Sequence, residues 1–414
     1  MSTTTTGGWR AILLPCLAVF GLMAGQQMVN PILPPLAREL GFSEIMLGIV
    51  YAVGGAGVVL TSPFWGRRSM SWGHRPVLLI SLVGGAVGLL AFAVVAQIGL
   101  TGALTVPLLF TLVLLSRGLV FGLAWAAAAA TAQSYVVDMT SGASERVRGM
   151  SMIGAAQGLG LAVGPALGGV LVASGLLVPL YVAPVVLAVI AVLIAIRLPK
   201  PQAHRVRPAT VGVSPLDRRM WPFLTTGFGL YLALAIVLMT VGFLLQDRLA
   251  LTAQETGRLT GLVMLAAAGM IILVQVVAVP RLGWTPVRLL RVGTVVMTAG
   301  MIVVTAASDV LLLGAGTAVL GAGMGFGVPG FMSGPTLLAS PQEQGAVAGL
   351  VGSASALAFM LGPLVGTGLY EIGPSAPYLF GTALLAALAV FAFVHPGIRR
   401  TTAGAPGVAT VGAR

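Results

Sequence analysis

Arg117 stands alone as a charge deep inside a long apolar run, in the stretch Leu114-Leu-Ser-Arg117-Gly-Leu-Val. It follows Pro107 by ten residues, about 15 Å along a helix rising about 1.5 Å per residue, which puts it near the middle of a bilayer. A guanidinium at that depth costs about 2.5–3.5 kcal/mol, so it must face a cavity and find a partner. No Asp or Glu lies at comparable depth; the first apolar run offers only the amides Gln26, Gln27 and Asn30. An unpaired cation in a dry cavity suits anionic or zwitterionic organic molecules and disfavours permanent cations. The alternative is a structural arginine whose donors end on backbone carbonyls. Trp125, Gln133, Gln157, Tyr231 and Gln275 add scattered polar and aromatic groups to other apolar runs. Each either lines the same cavity or bonds one helix to another, worth about 0.6 kcal/mol on average. Together they describe a mostly apolar cavity, better matched to amphipathic organic molecules than to sugars or inorganic ions.

Other chemistries are poorly served. Lys200, the single lysine, sits between Pro199 and Pro201, so no Gly-Lys-Ser/Thr phosphate loop exists and no ATP site is expected. His74, His204 and His395 form no metal-ligand cluster. Cys16 is the lone cysteine, which rules out an intrachain disulfide. Neither a cofactor site nor a catalytic cluster is legible, and no enzyme activity is expected. The formal charge of +12 comes from basic residues in short loops rather than from one amphipathic surface, which argues against nucleic acid.

Of the 414 residues, 57% are apolar and only 8% charged, so the bilayer is the solvent for most of the chain. Apolar runs long enough to cross it recur at 11–36, 45–65, 77–97, 107–135, 149–173 and 177–196. They resume at 221–246, 257–280, 289–307, 311–338, 346–370 and 376–395. A first run of this length, followed by many others, is no cleavable signal. Residues 197–220, with Lys200, Arg205, Arg207, Arg218, Arg219 and several prolines, read as a linker. The expected units are a bundle over 1–196, the linker, a bundle over 221–396 and a tail over 397–414. An inside N-terminus places Arg10, Arg67, Arg68, Arg75, Arg146, Arg148, the linker, Arg281, Arg288, Arg291, Arg399, Arg400 and Arg414 on the cytoplasmic side. Only Arg38, Arg248 and Arg258 then lie outside. The positive-inside rule therefore predicts both termini in the cytoplasm.

The halves resemble each other. Gly73-x-x-Pro76-Val77 recurs as Gly283-x-x-Pro286-Val287, and Gly154, Gly164-Pro165 and Gly168 recur as Gly352, Gly362-Pro363 and Gly366. Glu145 finds Glu343 at the same spacing as the second set. Related six-helix units predict a pseudo-two-fold axis along the membrane normal, with a substrate cavity between them.

The fifth run carries Gly160-x-x-x-Gly164-Pro165-x-x-Gly168-Gly169. Glycines four apart clear one helix face for a neighbouring backbone, and Pro165 removes a donor and bends the helix. By spacing alone this is a close-packing face. The complete string resembles the antiporter motif of the major facilitator superfamily, found in the fifth helix of its drug–proton antiporters. That pattern opens with a further Gly where this chain has Ser151. Gly66-Arg-Arg-Ser-Met-Ser-Trp-Gly73-His-Arg75-Pro76 resembles the superfamily's loop between helices two and three, with Met70 and Ser71 where the family has Asp and Arg. There the loop latches the outward-facing state, and here Arg75, with Arg67 or Arg68, is expected to pair with Asp138. Ordinary cytoplasmic loop charges are the simpler alternative. Asn30-Pro31-Ile-Leu-Pro34-Pro35 resembles the first helix of the twelve-helix drug-efflux subgroup.

The resemblance implies an all-α membrane protein with twelve transmembrane helices in two pseudo-symmetric six-helix bundles, the major facilitator fold. It further implies an exporter in which Gly160, Gly164, Pro165, Gly168 and Gly169 govern the rocking of the halves. Arg117 falls near the family's fourth-helix arginine, which is linked to proton coupling, although Gly122 comes one residue later than the family spacing. Those antiporters often carry an acid in the first helix, where this chain has Gln26, Gln27 and Asn30. Coupling is then left to Asp138, Glu343 or the substrate itself. The leading expectation is a secondary active transporter exporting amphipathic small molecules, a drug or natural product, by proton antiport. Uniport or symport of an anionic or zwitterionic metabolite, and lipid carriage, are the alternatives. A small-molecule substrate, protons and membrane lipids are the expected partners. One chain supplies both halves of the cavity, so a monomer suffices. Heavy use of Arg over Lys, with abundant Ala, Gly and Val, suggests a GC-rich bacterium and its cytoplasmic membrane.

Overall fold

The computed structural model describes residues 6–140, 143–198, 213–340 and 343–398. Lys200, His204, Arg205, Arg207, Arg399, Arg400 and Arg414 lie outside the described residues, as do the side chains of Arg10 and Arg146. Among the described residues, twelve helices are long and apolar enough to span a membrane. They are α1 (Ile12–Glu39), α2 (Glu44–Trp72), α3 (His74–Leu100), α4 (Val106–Val136), α5 (Arg148–Val172) and α6 (Val178–Arg197). The second set is α7 (Trp221–Leu249), α8 (Ala253–Leu282), α9 (Pro286–Ala306), α10 (Val310–Leu337), α11 (Ala346–Ile372) and α12 (Ala376–Val394). No strand occurs among the described residues.

Helix ends follow local chemistry. Pro31, Pro34 and Pro35 remove amide donors from the last turns of α1, and Asn30–Ile32 tightens to a 3₁₀ turn there. Thr252 and Glu255 form a reciprocal capping box at the start of α8. Asp309 caps α10 by accepting from the Leu312 amide at 2.8 Å. The apolar run expected to stop at residue 65 continues as helix to Trp72. Gly66 to Trp72 is therefore about two further turns of α2 rather than a loop. Hydropathy marks where the apolar layer ends, and a helix need not stop there. Arg68 lies over the rings of Phe64 and Trp72 along this extension, at 5.2 and 4.8 Å. The turn itself is Gly73, whose φ of 90° favours glycine.

The sequence repeat becomes a repeat of packing. In the first half α1 packs on α5 and α6, α2 on α4, and α3 on α4 and α6; the second half repeats every pairing six helices later. Between halves, α2 meets α11 and α5 meets α8, two contacts that a two-fold rotation exchanges. These contacts concentrate at the end of the molecule that carries Arg38. There Gly48 lies against Pro363 and Leu364, and Gly169 lies against Gly261. Gly66, Gly154 and Gly158 in the first half and Gly349 and Gly352 in the second, toward the other end, have open space where a side chain would project. Among the described residues the two halves are joined at one end, and these glycines face open space toward the other.

Candidate functional site

In α4, residues Leu114–Val120 are wound as a π-helical turn. Such a turn closes i→i+5 and takes up an extra residue, which accounts for Gly122 falling one position late after Arg117. Arg117 itself is only 5% exposed. Its Nη2 donates to the Tyr51 hydroxyl at 3.3 Å. That hydroxyl donates to Asn30 Oδ1, and Asn30 Nδ2 donates to Gln27 Oε1 at 2.7 Å. The guanidinium also lies over the rings of Tyr51 and Phe121, at 5.0 and 4.8 Å. Its buried Nε finds no acceptor among the described residues. The 3₁₀ turn of α1 holds Asn30, and close approach of α2 to α4 holds Tyr51, with Gly122 against the backbone of Gly54.

The structure thus joins Gln27, Asn30 and Arg117 of the expected residues and adds Tyr51 and Phe121. Phe121 was visible in principle, because it follows Arg117 by one helical turn. Tyr51 was not, since it comes from another helix. Gln26, Trp125, Gln133, Gln157 and Gln275 are partly or fully exposed and lie outside this chain of bonds. Tyr231 belongs to a separate aromatic group in the second half, edge-on to Phe331 and Phe359 at 6.0 and 5.6 Å. All ten acidic residues of the chain sit at helix ends or in turns. Among the described residues no group of His, Cys, Asp and Glu could hold a metal ion.

The glycine string of α5 is a contact surface for α1 and α8. Gly160 faces Met23 and the Ala24 amide, Gly164 faces Gln27 and the Ala24 carbonyl, and Gly168 faces the Met28 backbone. Gly169 meets Gly261 across the boundary between halves. In the second half Gly366 repeats the arrangement against Ile236 and Thr240 of α7.

At the turn after α2, one expectation is corrected. Asp138 pairs with His74 Nε2 at 2.8 Å, whereas Arg75 Nη2 donates to the Ala195 carbonyl of α6. Arg75 leaves the end of α4 because it reaches toward the unpaired carbonyls that end α6. His74 also stands edge-on to Tyr135 of α4.

Arg38, expected only as an outside charge, is the hub of the joined end. Its guanidinium bonds both carboxylate oxygens of Asp247 at the end of α7, one of them at 2.9 Å. It also bonds Glu44 of α2 at 2.8 Å and lies 5.0 Å from the Phe243 ring of α7. The Tyr370 hydroxyl of α11 donates to Asp247 at 2.7 Å. Glu371 accepts from the Ile45 amide at 3.1 Å, giving a second link between α11 and α2. These partners stand 209 and 326 residues apart in sequence, a separation that leaves no local signal.

Residues 16–358 match the profile described as Major Facilitator Superfamily. The chain belongs to that superfamily. It is a polytopic transporter with the twelve-helix fold, as the symmetric packing independently indicates. Within the superfamily it is 33% identical over 148 residues to the class B tetracycline resistance protein of Escherichia coli, covering 35% of this chain and 33% of that protein. The matched stretch thus spans about a third of the length of such curated relatives. The crystal structure of the nucleoside transporter NupG superposes with a TM-score of 0.68 at 17% identity, covering 92% of this chain and 98% of that one. The human organic anion transporter MFSD10 gives 0.64 at 21%, covering 93% and 99%. At such identities the likeness speaks to fold.

Proposed function

We propose that this superfamily member is a secondary active transporter that exports amphipathic small organic molecules by proton antiport, through alternating access of a site between the two halves. The observation that carries this reading is the asymmetry of the ends: α2 and α5 are joined to α11 and α8 near Arg38, whereas Gly66 and Gly349 face open space toward the other end, which we take as the parted one. A carrier that moves solute through a central site must close one end before opening the other. The glycine string of α5 packs mainly on α1 within the first half, with Pro165 and Gly169 meeting Gly261 at that boundary, and it supports the antiporter resemblance. Drug efflux is further supported by the tetracycline resistance relatives.

The orientation proposed from the arginines sets both termini and the parted end toward the cytoplasm of a bacterium, with Arg38 outside. The units at 1–196 and 221–396 are then the rocking bodies, the linker their tether, and one chain a complete carrier among its lipids. Gln26, Gln133, Gln157 and Gln275, none engaged by the Arg117 chain of bonds, are the proposed polar contacts of the cavity, with Trp125 and Tyr231 as its aromatic ones. Uniport or symport of an anionic metabolite is the second reading, favoured by the location of all ten acids at helix ends.

The test is transport in sealed liposomes holding a pH-sensitive dye, across anionic, neutral and cationic amphiphiles with tetracycline included. Substrate-dependent proton movement is expected. Substrate movement without protons would remove antiport and leave uniport, and no movement of any amphiphile would remove the reading altogether.

A further inference from the structure

A buried guanidinium usually meets a carboxylate, because leaving a charge uncompensated in a medium of low dielectric is expensive. In this chain Arg117 meets none. It is 5% exposed, and every acidic side chain of the protein is at a helix end or in a turn. The compensation present is partial. Rings of Tyr51 and Phe121 lie over the group, and such desolvated contacts offset part of the cost of burying it. Aromatic faces screen the flat sides of a guanidinium, whereas its five donors point outward in the plane. In that plane the best contact is a hydroxyl at 3.3 Å, longer than the 2.7–2.9 Å typical of a charge-assisted bond. Nε has no acceptor at all among the described residues. The neighbouring polar groups are all neutral: the Tyr51 hydroxyl, the Asn30 amide and the Gln27 amide. The arrangement is a buried cation with stacked faces, an in-plane edge whose Nε has no acceptor among the described residues, and a neutral hydroxyl loosely placed against it.

We propose that this edge is a binding site for the carboxylate of an amphipathic organic acid, with the Tyr51 hydroxyl holding the position that one carboxylate oxygen takes. A planar carboxylate presents two oxygens at the spacing of adjacent guanidinium donors, so it can use Nε and one terminal nitrogen together. The amides of Asn30 and Gln27 then accept the displaced hydroxyl. The transported molecule supplies the negative charge that the chain lacks. The inference rests on the transporter reading for its biological meaning and on Arg117 alone for its chemistry.

The test compares three probes of one shape and different charge: naphthoate, naphthalenemethanol and naphthylmethyl-trimethylammonium. Their binding to the full-length protein in nanodiscs is measured by equilibrium dialysis. The wild type is expected to favour the acid over the alcohol by about tenfold or more, the increment of a desolvated charged contact, with the ammonium weakest. Arg117→Gln abolishes that preference and leaves the alcohol's affinity within about twofold. Arg117→Lys keeps the charge without the fork and retains only part of the preference. Equal binding of acid and alcohol by the wild type overturns the site, as does an undiminished preference in Arg117→Gln. Should neither variant fold, the wild-type comparison alone decides. Liposome flux with the same probes separates the two ideas. Arg117-dependent binding of naphthoate with no flux of any probe removes the transport reading and keeps the site. Flux of the alcohol or ammonium without acid preference does the reverse.

Discussion

Arg117 lies against two aromatic rings, and those rings make its environment testable one group at a time. Tyr51→Leu removes both the ring contact and the hydroxyl, with a loss of about 2 kcal/mol expected for a buried cation–π pair. Tyr51→Phe keeps the ring and gives up only a long hydrogen bond, so its thermal unfolding temperature in detergent should fall far less. Equal losses in the two variants would show that the hydroxyl, not the ring, steadies the charge. The charge at position 117 was evident from the sequence, and so were the amides Gln27 and Asn30 that end its chain of bonds. The link between them was hidden, because Tyr51 reaches the site from α2 and no pattern along one helix reports a residue on another. Asp138 illustrates the same limit. A basic partner from the turn after α2 was foreseeable, but the choice of His74 over Arg75 depends on which of two adjacent side chains points toward α4 and which toward α6.

Along α5, glycines stand on different faces for different reasons, and substitution separates them. Gly168 has the Met28 backbone within contact distance of any added Cβ, whereas Gly158 faces open space. Gly168→Val should therefore destabilise the protein by about 1–3 kcal/mol through overpacking and depress transport. Gly158→Ala should be tolerated in thermal stability assays. A second element-level prediction concerns the end of the linker. Arg219 bonds Asp217 at 2.8 Å and Glu343, ahead of α11, at 3.1 Å. The Arg219 guanidinium holds the Asp217 carboxyl below its ordinary range. Glu343 is likewise lowered, first by the Ser340 amide and then by Arg219. Carboxylates with lowered values contribute order that is present above the ordinary range, about pH 4, and lost as pH falls through the lowered values. Hydrogen exchange over 213–220 should be slower in the wild type than in Arg219→Ala at neutral pH, and the difference should vanish in strong acid. Helix positions of this kind were largely legible from apolar run length. The exception, α2 past residue 65, shows that run length measures the hydrocarbon layer and not the helix.

For the molecule as a whole, the repeat of Gly-Pro positions between halves announced a two-fold arrangement, and the pairings of the helices carry it out. What the repeat could not announce is which end is closed, because symmetry about the membrane normal treats both halves alike at either end. That choice is made by Arg38, Glu44, Asp247, Tyr370 and Glu371, whose mutual distances exist only in the folded chain. Arg38 and Asp247 are partly exposed, so the latch is worth on the order of 1 kcal/mol rather than the much larger value of a sealed pair. Under the proposed alternating access, such weakness lets this end open in each cycle. Arg38→Ala should shift the equilibrium toward opening at that end by roughly fivefold.

Rocking of the two halves is the central claim, and distances across both ends of one pair of helices report it directly. Ser43 and Gly373 flank the closed end of α2 and α11, while Gly66 and Gly349 lie at matching depth toward the parted end. Spin labels at each pair, on a background with Cys16 replaced, would be measured by electron–electron resonance in nanodiscs, with and without Arg38→Ala. The account predicts that Arg38→Ala lengthens the Ser43–Gly373 distance and shortens the Gly66–Gly349 distance in the same population. Distances that stay fixed, or that lengthen together at both ends, would contradict it.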